Sequence, residues 1–243
     1  MIAILTDFGV SGPYIGQMRA VLHAQAPGVD VVDLFPDLPA CRVKAAAYLV
    51  PAYTHYLPAD TVCLCVVDPG VGSARRPLVL RIDDRWFVGP DNGLFSVLMR
   101  RAGKLEAYEI CWRPENLSDS FHGRDLFAPV AARLALDYLD GLEPLAEHAP
   151  LLPDWPEELA EVIYLDSFGN VMTGLDAGYL PDSAVIGVAG HRCSYHRTFF
   201  EAEPGTLFWY RNSNGLVEIA MNGGSAAAYA GLDIGAAVEI ISR

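Results

Sequence analysis

Thr61 to Val67 is an unbroken apolar run with no charged residue, closed by Asp68-Pro69-Gly70. A run of that length and β-branched content reads as a strand buried on both faces, so the rest of the chain has to supply covering layers. The neighbouring sequence does. Ile2 to Leu5 and Val29 to Leu34 read as further strands, while Tyr14 to Gln25 and Val43 to Tyr56 read as helices, the second kinked or started afresh at Pro51. Pro77 to Ile82 and Arg85 to Val88 flank Asp83-Asp84 as a hairpin. Asn92 to Ala102 and Asp125 to Leu139 have helical periodicity, the latter with Leu126, Val130, Leu134 and Tyr138 on one face. Fully apolar strands interleaved with helices predict an α/β domain over residues 1–141, Rossmann-like with a mostly parallel sheet covered on both faces.

Residues 142–158 hold Pro144, Pro150, Pro153 and Pro156, which predicts an extended linker poor in helix. Beyond it the texture changes to short β-rich runs between Gly, Pro and Asn turns: Ala160 to Leu165, Ser183 to Val188, Thr206 to Arg211, Leu216 to Ala220 and Ala236 to Ile241. These predict an all-β C-terminal domain over residues 159–243, a small barrel or sandwich, with Ser225 to Ala230 as a brief helix. With 52% apolar and 19% charged residues, the chain is too hydrophobic and too weakly charged to be disordered.

The net charge of −13, with no basic block to relieve it, argues against a nucleic-acid partner, because phosphate contacts need clustered Lys and Arg. The longest apolar stretches fall well short of the roughly 18 residues of a membrane span. Met1 to Asp7 lacks a basic region and a small-residue cleavage site, so it reads as a first strand and the protein as cytoplasmic. Five scattered cysteines argue for reduced thiols over a disulfide framework, and Cys63 and Cys65 share one face of a buried strand.

Open parallel sheets bind ligands at the carboxyl ends of their strands. Asp7 and Asp68 end two such strands, and each is followed by glycines that let backbone approach a ligand. Arg75 is spaced to fold back over Asp68 as an ion pair, which can equally be a surface pair on a loop. Phe121-His122-Gly123-Arg124-Asp125 precedes a helix that Asp125 is placed to cap. Asp166-Ser167-Phe168-Gly169-Asn170 and Asn212-Ser213-Asn214-Gly215 have turn chemistry that needs no function to explain it. His191, Cys193 and His196 lack a fourth ligand and the usual paired zinc spacing, so no metal is expected. There is no dinucleotide G-x-G-x-x-G, no phosphate loop and no G-x-S-x-G elbow. The first of these absences also disfavours a Rossmann-type methyltransferase.

Taken together, Thr6-Asp7-Phe8-Gly9, Val66 to Ser73, Gly89-Pro90-Asp91-Asn92-Gly93-Leu94, Phe121 to Pro129 and Asp166 to Asn170 resemble the S-adenosyl-L-methionine (SAM) hydroxide adenosyltransferases, relatives of the fluorinase and chlorinase. The motifs occur in order over nearly the whole chain. The resemblance implies an N-terminal α/β domain, a C-terminal β-barrel and a homotrimer with active sites between the N-terminal domain of one subunit and the C-terminal domain of its neighbour. It implies that SAM is the substrate, that no cofactor is used, and that Asp68, Arg75 and His122 activate the attacking water. Asp7 would grip the ribose hydroxyls, Asn170 the purine with Phe168 packed beside it, and Asp166 the methionine amino group. Ser213 and Asn214 fall where the methionine carboxylate is held, and Met221 lies near the adenine.

The residue types suit that chemistry. A sulfonium departs as a neutral thioether and needs no general acid, so what the site has to supply is a nucleophile. Water has a pKa of about 15.7 and must be held as hydroxide or lose a proton as it attacks C5′. Arg75 can only donate, Asp68 can fix its fork, and His122 is the better candidate for a base. Attack merges two opposite charges, which a dry pocket favours. Three positions depart from the family pattern: Cys41 stands where the halide-using branch has an aromatic, Asn214 where Arg or Glu is usual, and Gly174 where Asn is common. Asp68 and Gly123 favour hydroxide over halide, since a carboxylate repels an anion. A non-catalytic adenosine or SAM sensor and a halide-using SAM halogenase are the alternative readings.

Overall fold

A computed structural model describes residues 1–146 and 149–242, in two compact units, Met1–Pro153 and Asp154–Arg243. The first unit is built on a seven-stranded sheet. In chain order its elements are β1 (Ile2–Thr6), α1 (Tyr14–Gln25), β2 (Val31–Phe35), α2 (Val43–Thr54), β3 (Val62–Val66), β4 (Pro77–Ile82), β5 (Arg85–Pro90), α3 (Ser96–Arg101), β6 (Leu105–Ile110), α4 (Ala128–Leu134) and β7 (Leu142–Leu145). The strand order is β2-β1-β3-β5-β4-β6-β7. Strands β1 and β3 are buried at every position, as runs without alternation require. On one face of the sheet Ile2, Ile4, Val62, Leu64 and Val66 pack against Met18 and Leu22 of α1 and Val130 and Leu134 of α4.

The expectation of a mostly parallel sheet is corrected to a mixed one. Strands β2, β1, β3 and β5 pair parallel with one another, whereas β4 pairs antiparallel with β5 and β6, and β6 antiparallel with β7. The cause is the hairpin read at Asp83-Asp84: Asp83 adopts φ 53°, the chain reverses, and β6 then adds to the outer edge of β4. The stretch read as a linker begins with β7, which pairs with β6.

The helix predicted from Asp125 to Leu139 is shorter and starts differently. Gly123–Phe127 forms one wide turn, with Ala128 N–H bonded to Gly123 O, and α4 follows and ends at Leu134. Pro129 has no N–H to donate back to Asp125, so the turn opens there. Tyr138 lies beyond the helix and is exposed, unlike Leu126, Val130 and Leu134. Helix α2 runs through Pro51 without a restart. Among the described residues no helix is long and apolar enough to cross a membrane.

The second unit holds β8 (Leu159–Leu165), β9 (Val171–Asp176), β10 (Val185–Val188), β11 (His191–Tyr195), β12 (Leu207–Arg211), β13 (Leu216–Met221), α5 (Ala226–Ala230) and β14 (Val238–Ser242). They form one seven-stranded sheet of order β14-β10-β11-β12-β13-β9-β8, antiparallel except where β11 meets β12. Among the described residues a bridge, Glu161 to Ala237, joins the two ends, so the sheet curls into a half-barrel. Val171, Ile186, Trp209, Val217 and Ile219 fill its core. Trp209 is fully buried and donates its indole N–H to Ala184 O at 2.9 Å.

Candidate functional site

Strands β1 and β3 pair in parallel with Thr6 opposite Val66, so Asp7 and Asp68 leave the sheet at the same end. Asp7 accepts a hydrogen bond from Cys41 N–H at 2.8 Å, with Cys41 in the left-handed region at φ 58°. Burial, aided by the charge of Asp68, pushes the Asp7 carboxyl above the usual aspartate range.

Asp68 and Arg75 form a buried ion pair, their side chains 5% and 8% exposed. Arg75 Nε reaches both carboxylate oxygens, at 2.9 and 3.0 Å, and Nη2 also donates to Oδ2. The same Nη2 lies 3.0 Å from His122 Nδ1, and the guanidinium sits 5.3 Å from the Phe127 ring centroid. The three residues singled out in the sequence therefore form one connected set. Arginine has no acceptor, so Nδ1 of His122 must be the acceptor and a neutral ring carries its proton on Nε2. Burial, reinforced by the Arg75 charge, holds His122 below the ordinary histidine range. A proton-accepting role at Nε2 would need the other tautomer, which Arg75 disfavours.

The loops are brought together by close approaches that particular residues permit. Gly72 sits at φ +80°, and a Cβ there would lie 2.7 Å from Asp119 O, so only glycine lets the 68–75 loop lie against the segment leading to His122. Phe8, Tyr14 and Phe121 form an aromatic triangle with centroids 5.5 to 5.7 Å apart, tying the exit of β1 to that segment. Asn92 donates to Val67 O at 2.9 Å, immediately before Asp68. Asp125 does not cap its helix as expected; its carboxylate accepts from Ser118 N–H at 3.1 Å and pairs with Arg124. Asp125 lies inside the wide turn, whose cap position is His122.

The second unit carries the remaining residues. A cavity of about 680 Å³ is lined by Asp166, Phe168, Asn170 and Met221 together with Phe199 and Tyr210. Asp166 Oδ1 accepts the N–H groups of Phe168 and Asn170 at 2.9 and 2.8 Å, and Oδ2 accepts Asn170 Nδ2 at 2.9 Å. That orientation leaves Asn170 Oδ1 as the acceptor its amide can offer. Ser213 and Asn214 occupy the β12–β13 turn and are not among the residues lining the cavity. Gly174 lies in β9, where a Cβ would meet Leu159 O at 2.8 Å, so a larger residue has no room at that position. His191 packs on Tyr229 and His196 on Phe208, while burial pushes the Cys193 thiol up to about 11. Phe199, Tyr210 and Glu218 were missed. The available signal was Glu218, a lone charge inside the apolar run from Leu216 to Met221.

A family model described as the SAM hydroxide adenosyltransferase N-terminal domain matches residues 2–140, and its C-terminal counterpart matches residues 160–239. An (R)-S-adenosyl-L-methionine hydrolase of Thermus thermophilus is 41% identical, covering 98% of each chain. A fluorinase of Nocardia brasiliensis is 25% identical over 99% of this chain and 96% of its own. Among solved structures, a conserved protein from Thermotoga maritima superposes with a TM-score of 0.89 at 29% identity, covering 100% of both chains.

Proposed function

The chain belongs to the SAM hydroxide adenosyltransferase family, and from that premise we propose that it hydrolyses (R)-S-adenosyl-L-methionine to adenosine and L-methionine by attack of water on C5′. The observation that carries this reading is the connected Asp68–Arg75–His122 set, its ion pair buried, at the sheet end where Asp7 also leaves. Water bonds to C5′ as the C5′–S bond breaks, the sulfonium leaves as neutral methionine thioether, and one proton is released. Arg75 and the Nε2–H of His122 both donate, so together they hold the attacking oxygen and favour its hydroxide form. Asp68 fixes the arginine fork bidentately and so aims it. Asp7 would accept from the ribose hydroxyls, and Asn170 Oδ1 from the adenine amino group. Phe168 and Met221 would pack beside the purine, with Asp166, Ser213 and Asn214 on the methionine end. We take the enzyme to need no cofactor and to act in the cytoplasm as a homotrimer, each site drawing its second half from a neighbouring subunit.

The test is incubation with SAM in ¹⁸O-water without halide. Label is expected in the adenosine 5′-hydroxyl, with Arg75→Ala slowing turnover by about 10²-fold or more. Adenosine lacking the label, or SAM bound and returned intact, would overturn the reading.

A further inference from the structure

Strand β13 alternates. Val217, Ile219 and Met221 face the half-barrel core, which places Glu218 on the opposite face with Ala220. A carboxylate there should reach solvent, yet Glu218 is 2% exposed. Both of its oxygens are engaged: the Tyr210 hydroxyl donates to Oε1, and Asn212 Nδ2 donates to Oε2 at 2.9 Å.

Each partner is held in one orientation. Asn212 Oδ1 already accepts the N–H groups of Asn214 at 3.0 Å and Leu216 at 2.9 Å, so its amide cannot flip and Nδ2 must face Glu218. Those same bonds shape the turn that carries Ser213 and Asn214. The Tyr210 ring packs on Phe199 and Phe208, with centroids 5.5 and 5.9 Å away, and it lines the cavity together with Phe199. Burial pushes the Glu218 carboxyl above its usual range. An apolar residue of similar size would fill this place at lower desolvation cost, so what the carboxylate contributes is orientation.

We propose that Glu218 is a positioning residue for the substrate half-site, holding the aromatic wall through Tyr210 and the 212–215 turn through Asn212. The inference rests on the hydrolase reading and deepens it: Tyr210 is the wall against which the flat nucleobase is read. Because the water-activating set lies in the other unit, losing the network should weaken binding more than chemistry.

Tyr210→Phe, Glu218→Leu and Glu218→Gln would be compared with wild type for KM and kcat on SAM, for adenosine Kd by calorimetry, and for Tm. Tyr210→Phe and Glu218→Leu are expected to raise KM and adenosine Kd by about 3- to 10-fold, with kcat falling by less than KM rises. Glutamine keeps an oxygen for Asn212 and an amide donor for the tyrosine hydroxyl, so Glu218→Gln should return KM toward wild type. A lowered Tm with KM and Kd unmoved, in an enzyme that turns over SAM, would overturn the positioning role alone. A wild-type protein that binds adenosine but leaves SAM intact would overturn the hydrolase reading, and adenosine Kd would then decide the role of Glu218. If Glu218→Leu does not fold, Tyr210→Phe decides.

Discussion

A guanidinium cannot accept a hydrogen bond, so the 3.0 Å approach of Arg75 Nη2 to His122 Nδ1 fixes which ring nitrogen is bare. Protonating His122 would remove that acceptor and set two cations against each other, and the fold opposes it. The consequence is a pH dependence of definite sign. Turnover should hold as pH falls through the ordinary histidine value of about 6.5 and decline only below it, where His122 finally takes its proton. In the same window the unfolded chain binds a proton that the folded one refuses, so this residue destabilises the fold as pH drops below about 6.5. The check is kcat against pH for wild type and His122→Gln: an acid limb centred at or above 6.5, or one surviving unchanged in the variant, would refute the assignment. At this scale the grouping of Asp68, Arg75 and His122 was legible because Asp68 and His122 sit in long motifs beside a strand or helix end and Arg75 is spaced to fold back over Asp68. Glu218 and Tyr210 were not, because strict alternation sends a strand glutamate to solvent, whereas Glu218 is buried and bonded by Tyr210 and Asn212.

Elements were legible where their pattern is pure and obscure where it is mixed. Strands β1 and β3 are uniformly apolar and were found to within a residue or two, whereas β6 carries Glu106 and Glu109 and β11 carries His191 and Arg192, and neither was read as a strand. The hairpin at Asp83-Asp84 was recognised locally, but its effect on sheet direction depends on which edge β6 joins, and that is not a local property. Loop elements are a different case, because one close approach can set the whole arrangement. Gly72→Ala would have to hold a Cβ at φ +80° and find room 2.7 Å from Asp119 O. It should cost about 1–3 kcal/mol of stability and, by moving the 68–75 loop from the His122 segment, lower kcat about tenfold or more. Gly190→Ala is the control: its φ of +79° imposes a similar strain, but open space surrounds it, so only stability should drop. Thermal melts with kcat for both variants decide it, and equal losses of kcat would refute a positioning role for the Gly72 contact.

At the scale of the molecule, the change of texture after the proline-rich stretch announced two units, and the chain indeed forms a mixed α/β unit and a curled β unit. What a sequence pattern cannot carry is assembly, because alternation and capping report burial within one chain. The candidate groups are nonetheless divided: Asp7, Asp68, Arg75 and His122 belong to the first unit, and Asp166, Asn170 and Tyr210 to the second. If each site in a homotrimer joins the first unit of one subunit to the second unit of its neighbour, lesions in different units should complement. Arg75→Ala and Asn170→Ala proteins, each nearly inactive alone, would be mixed in equal amounts, dissociated and reassembled. Random mixing puts an intact first unit beside an intact second unit in about a quarter of sites, so about a quarter of wild-type activity should return. Sites confined to one chain would each keep one lesion, and no activity would appear. Light scattering on the same samples supplies the mass, so a failure to reassemble is told apart from a failure to complement.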